Sequence, residues 1–132
     1  MQVIAACHVR PITQVRVWGR NRERADLLAS RLRDDLPEVE ILAEDDHQRS
    51  ARNADILITA TASRQPFLRG SWLSEGQHVT AIGADDADKR ELDSGCYARA
   101  DRVVIDSRVL NQQCGDLPPA LKQLKIQPDE LG

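Results

Sequence analysis

ADILITATA, residues Ala54 to Ala62, carries three consecutive apolar residues, Ile56, Leu57 and Ile58, before it runs into threonines. An unbroken apolar run of this length suits a strand covered on both faces, as in a parallel sheet. Upstream, QVRVWG (Gln14 to Gly19) reads as a strand stopped by glycine. NRERADLLASRLRDDL follows as a helix, with Ala25, Leu28, Leu32 and Leu36 at helical spacing. Pro37 ends it, EVEILA (Glu38 to Ala43) is a second strand, and DHQRSARNA is a short helix. Downstream, GQHVTAIGA is a fourth strand and ADRVVIDS (Ala100 to Ser107) a fifth. GSWLSEG and KRELDSGCYARA separate them as helical or irregular segments. Such alternation predicts right-handed crossovers and a doubly wound, mostly parallel α/β sheet. MQVIAACHVRPI reads as a helix ending before Pro11, with no strand ahead of it.

The 132 residues predict one domain with a real core. A net charge of −3 and 3% aromatics argue against a nucleic-acid surface, whether basic or base-stacking. No apolar run approaches the roughly 18 to 20 residues of a membrane span, and the N-terminus lacks a signal-peptide pattern. The three cysteines, Cys7, Cys96 and Cys114, have no C-x-x-C spacing. They predict reduced thiols, a cytoplasmic location and no metal site.

In an open α/β sheet, ligands bind outside the carboxyl ends of the strands. At the first exit stands Gly19, where a dinucleotide fold would place an acidic ribose ligand, followed by Arg20, Asn21, Arg22 and Arg24. A small residue followed by arginine accommodates a 2′-phosphate, because guanidinium offers paired donors to phosphate oxygens. The other reading is a solvated helix start. Thr59, Ala60 and Thr61 offer hydroxyls and little bulk at the next exit, and also fit an ordinary strand end. Ile82-Gly83-Ala84 leaves room for a flat ring, and Asp85 follows as a carboxylate able to move protons. Alternatively, Asp85, Asp86 and Asp88 cap a following helix.

These residues resemble a known family. VRPITQVRVWGRNRERADLLA, ADILITATASRQPFL, WLSEGQHVTAIGADDADKRELD and RADRVVIDS resemble the ornithine cyclodeaminase/mu-crystallin family, up to about Gly115. The most specific block is G-x-H-V-x-A-I-G-A-D-x-x-x-K-x-E-L, and RPI…VRVWGR looks closest to the ectoine-degradation branch. The resemblance implies a Rossmann-type domain binding NAD or NADP, and Gly19 followed by Arg20 favours NADP. It also implies a separate domain supplying dimer contacts and most substrate ligands. Members include ornithine cyclodeaminase, alanine dehydrogenases and ketimine reductases.

By resemblance, Asp85 matches the catalytic aspartate, which assists proton transfer and water attack at an imine. Gly19, Arg20 and Asn21 match the adenosine-ribose loop, with Arg24 one turn on. Thr59, Ala60, Thr61 and Thr80 to Ile82 match cofactor contacts; Lys89 and Glu91 match positions of structural role. Met1 and Gln2 fit the last two positions of the family's G-x-G-x-Q loop. The expectation is therefore a partial cofactor domain over residues 1–115, lacking the first strand and both glycines of that loop, and a loosely packed tail over residues 116–132. Alone it is expected to be inactive, to hold no dinucleotide tightly, and to form a homo-oligomer. Its function is then that of a fragment of an NAD(P)-dependent cyclodeaminase or imine reductase acting on amino acids or their imines. The alternative is a non-catalytic oligomerisation or interaction module. A phosphoacceptor receiver domain is set aside, because its acidic pair and late lysine are not in place.

Overall fold

The computed structural model describes residues 1–125. The chain forms two compact units, one over Met1–Ala54 and one from Asp55 onward.

In the first unit, helix α1 (Gln2–Val9) leads into strand β1 (Gln14–Val17), helix α2 (Arg22–Asp35), strand β2 (Glu40–Ala43) and helix α3 (His47–Arg52). β1 and β2 pair in parallel, in register from Gln14 with Glu40 to Val17 with Ala43. α2 starts where Asn21 Oδ1 accepts from the Arg24 N–H at 2.9 Å, a side-chain N-cap. Its buried stripe is Ala25, Ala29 and Leu32, packed with Val17 and Ile41. Leu28, expected in that stripe, is 48% exposed. The stripe runs through the adjacent small residue, Ala29, which lets the helix backbone approach the sheet.

In the second unit, strand β3 (Ile56–Thr59) pairs in parallel with strand β4 (His78–Ala81). The apolar run of β3 is half-buried rather than sealed on both faces. A short 3-10 turn (Gly70–Trp72), helix α4 (Ser94–Ala98), helix α5 (Arg108–Asn111) and helix α6 (Leu117–Leu124) complete it. Asp93 caps α4, accepting from the Cys96 N–H at 3.2 Å and from the Gly70 N–H at 2.9 Å. A Cβ at Gly70 would lie 2.1 Å from the Gly95 carbonyl carbon, so only glycine lets the turn pack on α4.

Two further expectations change. Residues 100–107 form no strand: a strand exists through its ladder, and this segment pairs with nothing among the described residues, leaving Val104 80% exposed. The start of the supposed loose tail is helix α6, with Leu117, Ala120 and Leu121 buried and packing against α4. Pro118 and Pro119 sit in its first turn, where their missing N–H groups cost nothing. The part of the tail reading that falls on residues 126–132 lies outside the described residues.

Candidate active site

In the first unit, β1 delivers Gly19 and Arg20 ahead of α2. A Cβ at Gly19 would meet only ordinary contacts, 3.6 Å from Ala25 Cβ and from the Asn21 carbonyl oxygen. The fold does not demand glycine there, so the room is available to a ligand. The Asn21 side chain is committed to its cap. Arg22 is committed to Asp26 at 3.0 Å and to Asp45. Arg20 and Arg24 are exposed and form no ion pair among the described residues. Gln2 lies exposed in the first turn of α1, which has no side-chain cap and no acidic residue there, unlike α2 and α3 with their capping side chains. Uncapped first-turn N–H groups and the positive end of the helix suit an anion.

Sequence reading missed Glu44, just past β2. It is 6% exposed and accepts from Arg16 Nη1 at 3.1 Å, Arg49 Nη2 at 2.5 Å and the Asp45 N–H at 3.0 Å. The Arg49 guanidinium, with help from the Asp46 and Asp45 backbone N–H groups, pulls its pKa from 4.5 down to about 2. A depressed carboxylate stabilises the fold fully above its unfolded value and loses that contribution as pH falls through the folded one. Acid should therefore loosen this unit between about pH 4.5 and 2. In Glu44→Gln that step should vanish from an acid titration followed by Trp18 fluorescence, the Trp18 ring lying tilted against His47 with centroids 4.8 Å apart. An unchanged acid limb would show that the network does not carry it.

In the second unit, the exits of β3 and β4 converge on a carboxylate assigned only a structural part by resemblance. Glu91 is 0% exposed. It accepts from Thr59 Oγ1 at 2.7 Å, the Thr61 N–H at 2.5 Å, Thr61 Oγ1 at 2.7 Å and the Gly83 N–H at 2.8 Å. Both threonine hydroxyl protons are thus spent on Glu91, and neither hydroxyl can donate to a phosphate. Thr61 Oγ1 also accepts from the Ser63 N–H at 3.2 Å. What this exit exposes is Ala60, small and open. Thr80 Oγ1 lies 3.0 Å from His78 Nε2, and Ile82 is 45% exposed, its N–H bonded to the Thr59 carbonyl at 2.9 Å.

Asp85 follows, its side chain 70% exposed, with Lys89 Nζ 2.5 Å away. The Lys89 ammonium holds its pKa below the ordinary carboxylate value. No helix follows to be capped. Asp86 makes the turn instead, accepting from the Asp88 and Lys89 N–H groups, both at 2.9 Å. Asp85 therefore has no turn-capping duty and stands as an ionised, accessible acceptor.

An open depression of about 410 Å³ lies elsewhere in this unit, lined by Arg64, Arg90, Asp93 and Asp116 among others, and holds none of the expected site residues. Among the described residues no cluster of three His, Cys, Asp or Glu could hold a metal ion.

Parallel strands alternating with helices, with glycine and small residues at their carboxyl ends, are the pattern of an open α/β fold, in which ligands bind outside those ends. The profile of the ornithine cyclodeaminase/mu-crystallin family matches residues 1–129, and the chain belongs to that family. An uncharacterized cyclodeaminase of Sinorhizobium fredii is 39% identical over 136 residues, covering 100% of this chain and 41% of the relative. The structure of Thermococcus litoralis Delta(1)-pyrroline-2-carboxylate reductase in complex with NADH and L-proline superposes with a TM-score of 0.92 at 30% identity, covering 98% of this chain and 40% of that one. An archaeal alanine dehydrogenase dimer with bound NAD gives 0.84 at 28% identity, covering 98% and 39%. The chain thus spans about two fifths of the length of the relatives it matches, and its fold is the Rossmann-type α/β class.

Proposed function

We propose that this chain supplies the NAD(P)-binding portion of an enzyme that reduces or deaminates amino acids or their imines. The observation that carries this reading is the superposition of nearly the whole chain on a pyrroline-2-carboxylate reductase holding NADH and proline. Within each unit the residues present fit part of a dinucleotide. The uncapped start of α1, with Gln2, offers N–H donors to a pyrophosphate, and Gly19 offers room for the adenosine ribose. Ala60 and Ile82 offer small or apolar surface in the second unit, while Thr59, Thr61 and Thr80 stand in the same two strand ends with their hydroxyls engaged. When bound, the cofactor supplies the hydride chemistry. Asp85, kept ionised by Lys89, would accept a proton at its carboxylate oxygen from a substrate amine or an attacking water, and would return that proton to the substrate nitrogen in the reductive direction. The named dimer among the structural relatives supports a homo-oligomer, and three unpaired cysteines support a reducing, cytoplasmic setting.

NADP is the preferred cofactor in this reading, because Arg20 and Arg24 are uncommitted beside Gly19. Losing one charge-assisted phosphate contact costs on the order of 1.5 to 3 kcal/mol. Arg20→Ala should therefore erode the preference for NADPH over NADH by about tenfold or more, whereas Arg22→Ala should leave it nearly intact. Calorimetric titration with both cofactors, in an enzyme of the family's full length that carries this segment, checks this. Equal affinities in the unsubstituted protein would defeat the NADP assignment. Binding of neither, in a protein spanning the family's full length, would defeat the function itself.

A further inference from the structure

The Gly83–Glu91 loop is closed on itself. Its base is the bond from the Gly83 N–H to Glu91 Oε2 at 2.8 Å. Its interior is the Asp86 turn and the Asp85–Lys89 pair. Its far side is tied by the Gly115 N–H to the Asp86 carbonyl at 3.1 Å, Gly115 itself standing at φ +80. The same Glu91 carboxylate grips Thr59 at the end of β3 and Thr61 just beyond it. Its main chain is pinned in turn: the N–H donates to Asp116 Oδ1 at 2.7 Å, and the carbonyl accepts from Phe67 and Leu68, both at 3.0 Å. All four donors to the carboxylate are neutral, and no cation stands among its bonded partners. A buried carboxylate is costly unless its lone pairs are met, so this arrangement has a tightly specified geometry.

The geometry points to Glu91 as the positioning residue of the site: it locks the exits of β3 and β4 to one another and thereby sets where Asp85 stands. This rests on the proposed function only for what Asp85 then does. A glutamine keeps the shape but turns an NH₂ group toward N–H and O–H donors, so at least one bond is replaced by donor facing donor.

The test is Glu91→Gln in the full chain, read by amide hydrogen exchange and by NMR titration of the Asp85 carboxylate. Exchange at the Thr61 and Gly83 amides should rise about tenfold or more, while amides of β1 and β2 keep their protection. The Asp85 midpoint should climb toward the ordinary carboxylate value as its pairing with Lys89 loosens; Asp86 is the other charged group beside this pair. A residue that merely contributed stability would not move that titration. Protected Thr61 and Gly83 amides with an unaltered Asp85 midpoint would overturn the inference. Should the variant fail to fold, Thr59→Val removes one donor alone, and faster exchange at Gly83 is expected, with an unchanged rate overturning the inference. None of these readings uses a ligand, so failure to bind dinucleotide would count against the proposed function and leave this result standing.

Discussion

Asp85→Asn is expected to lower turnover by about 10² to 10⁴, the usual worth of a positioned proton-transfer group, while dinucleotide affinity stays within a few-fold. The comparison belongs in an enzyme of the family's full length that carries this segment. The amide keeps the carboxylate's shape but cannot take a proton, so a change confined to turnover isolates the chemistry. Two features of the structure sharpen the prediction. Asp85 caps no turn, a task that falls to Asp86, so its replacement should not unfold the loop. Lys89 keeps it ionised, so the wild-type acid limb should lie below the ordinary carboxylate range, and Lys89→Met should shift that limb upward. Turnover within a few-fold of wild type in Asp85→Asn would make the Asp85–Lys89 pair a surface ion pair of small consequence.

How legible the molecule was in its sequence differs between backbone and side chains. β1 to β4 stand where alternation and the Ile56–Ile58 run placed them, because those signals are local. The fifth strand did not form, because VVI expresses a propensity while a strand requires a partner. On α2, counting large residues selected Leu28, whereas the sheet selected Ala29, the residue that permits close approach. Asp85, Gly19 and Arg20 could be named from their places at strand exits. Glu44 went unseen, since a glutamate in a charged run looks solvated, and Glu91 received a structural part only by resemblance, without its partners. Glu91 is buried because donors 30 and 32 residues upstream come to meet it, and no local pattern encodes that meeting.

The same contrast between local and long-range causes separates two glycines, Gly83 and Gly19. A Cβ at Gly83 would lie 2.4 Å from Glu91 Oε1, from the Thr61 nitrogen and from the Thr61 carbonyl oxygen. Two of these are backbone atoms, so relief requires the exits of β3 and β4 to part. Overpacking alone costs about 1 to 3 kcal/mol. Weakening the bonds that satisfy a buried carboxylate adds about 1 to 3 kcal/mol more. Gly83→Ala should therefore lose roughly 2 to 6 kcal/mol, a loss large beside the about 5 to 15 kcal/mol of a typical domain. At Gly19 the nearest atoms would be 3.6 Å away, so Gly19→Ala should stay within about 0.5 kcal/mol of the unsubstituted chain. Its effect should fall on dinucleotide affinity, by filling the room that the fold leaves unused. Urea unfolding read from Trp72 for Gly83→Ala and from Trp18 for Gly19→Ala, with a cofactor titration of each substitution in an enzyme of the family's full length, separates the two cases. A mild effect at Gly83 would show that the Thr61 backbone yields cheaply, and Glu91 would then hold its partners less rigidly than its four bonds imply.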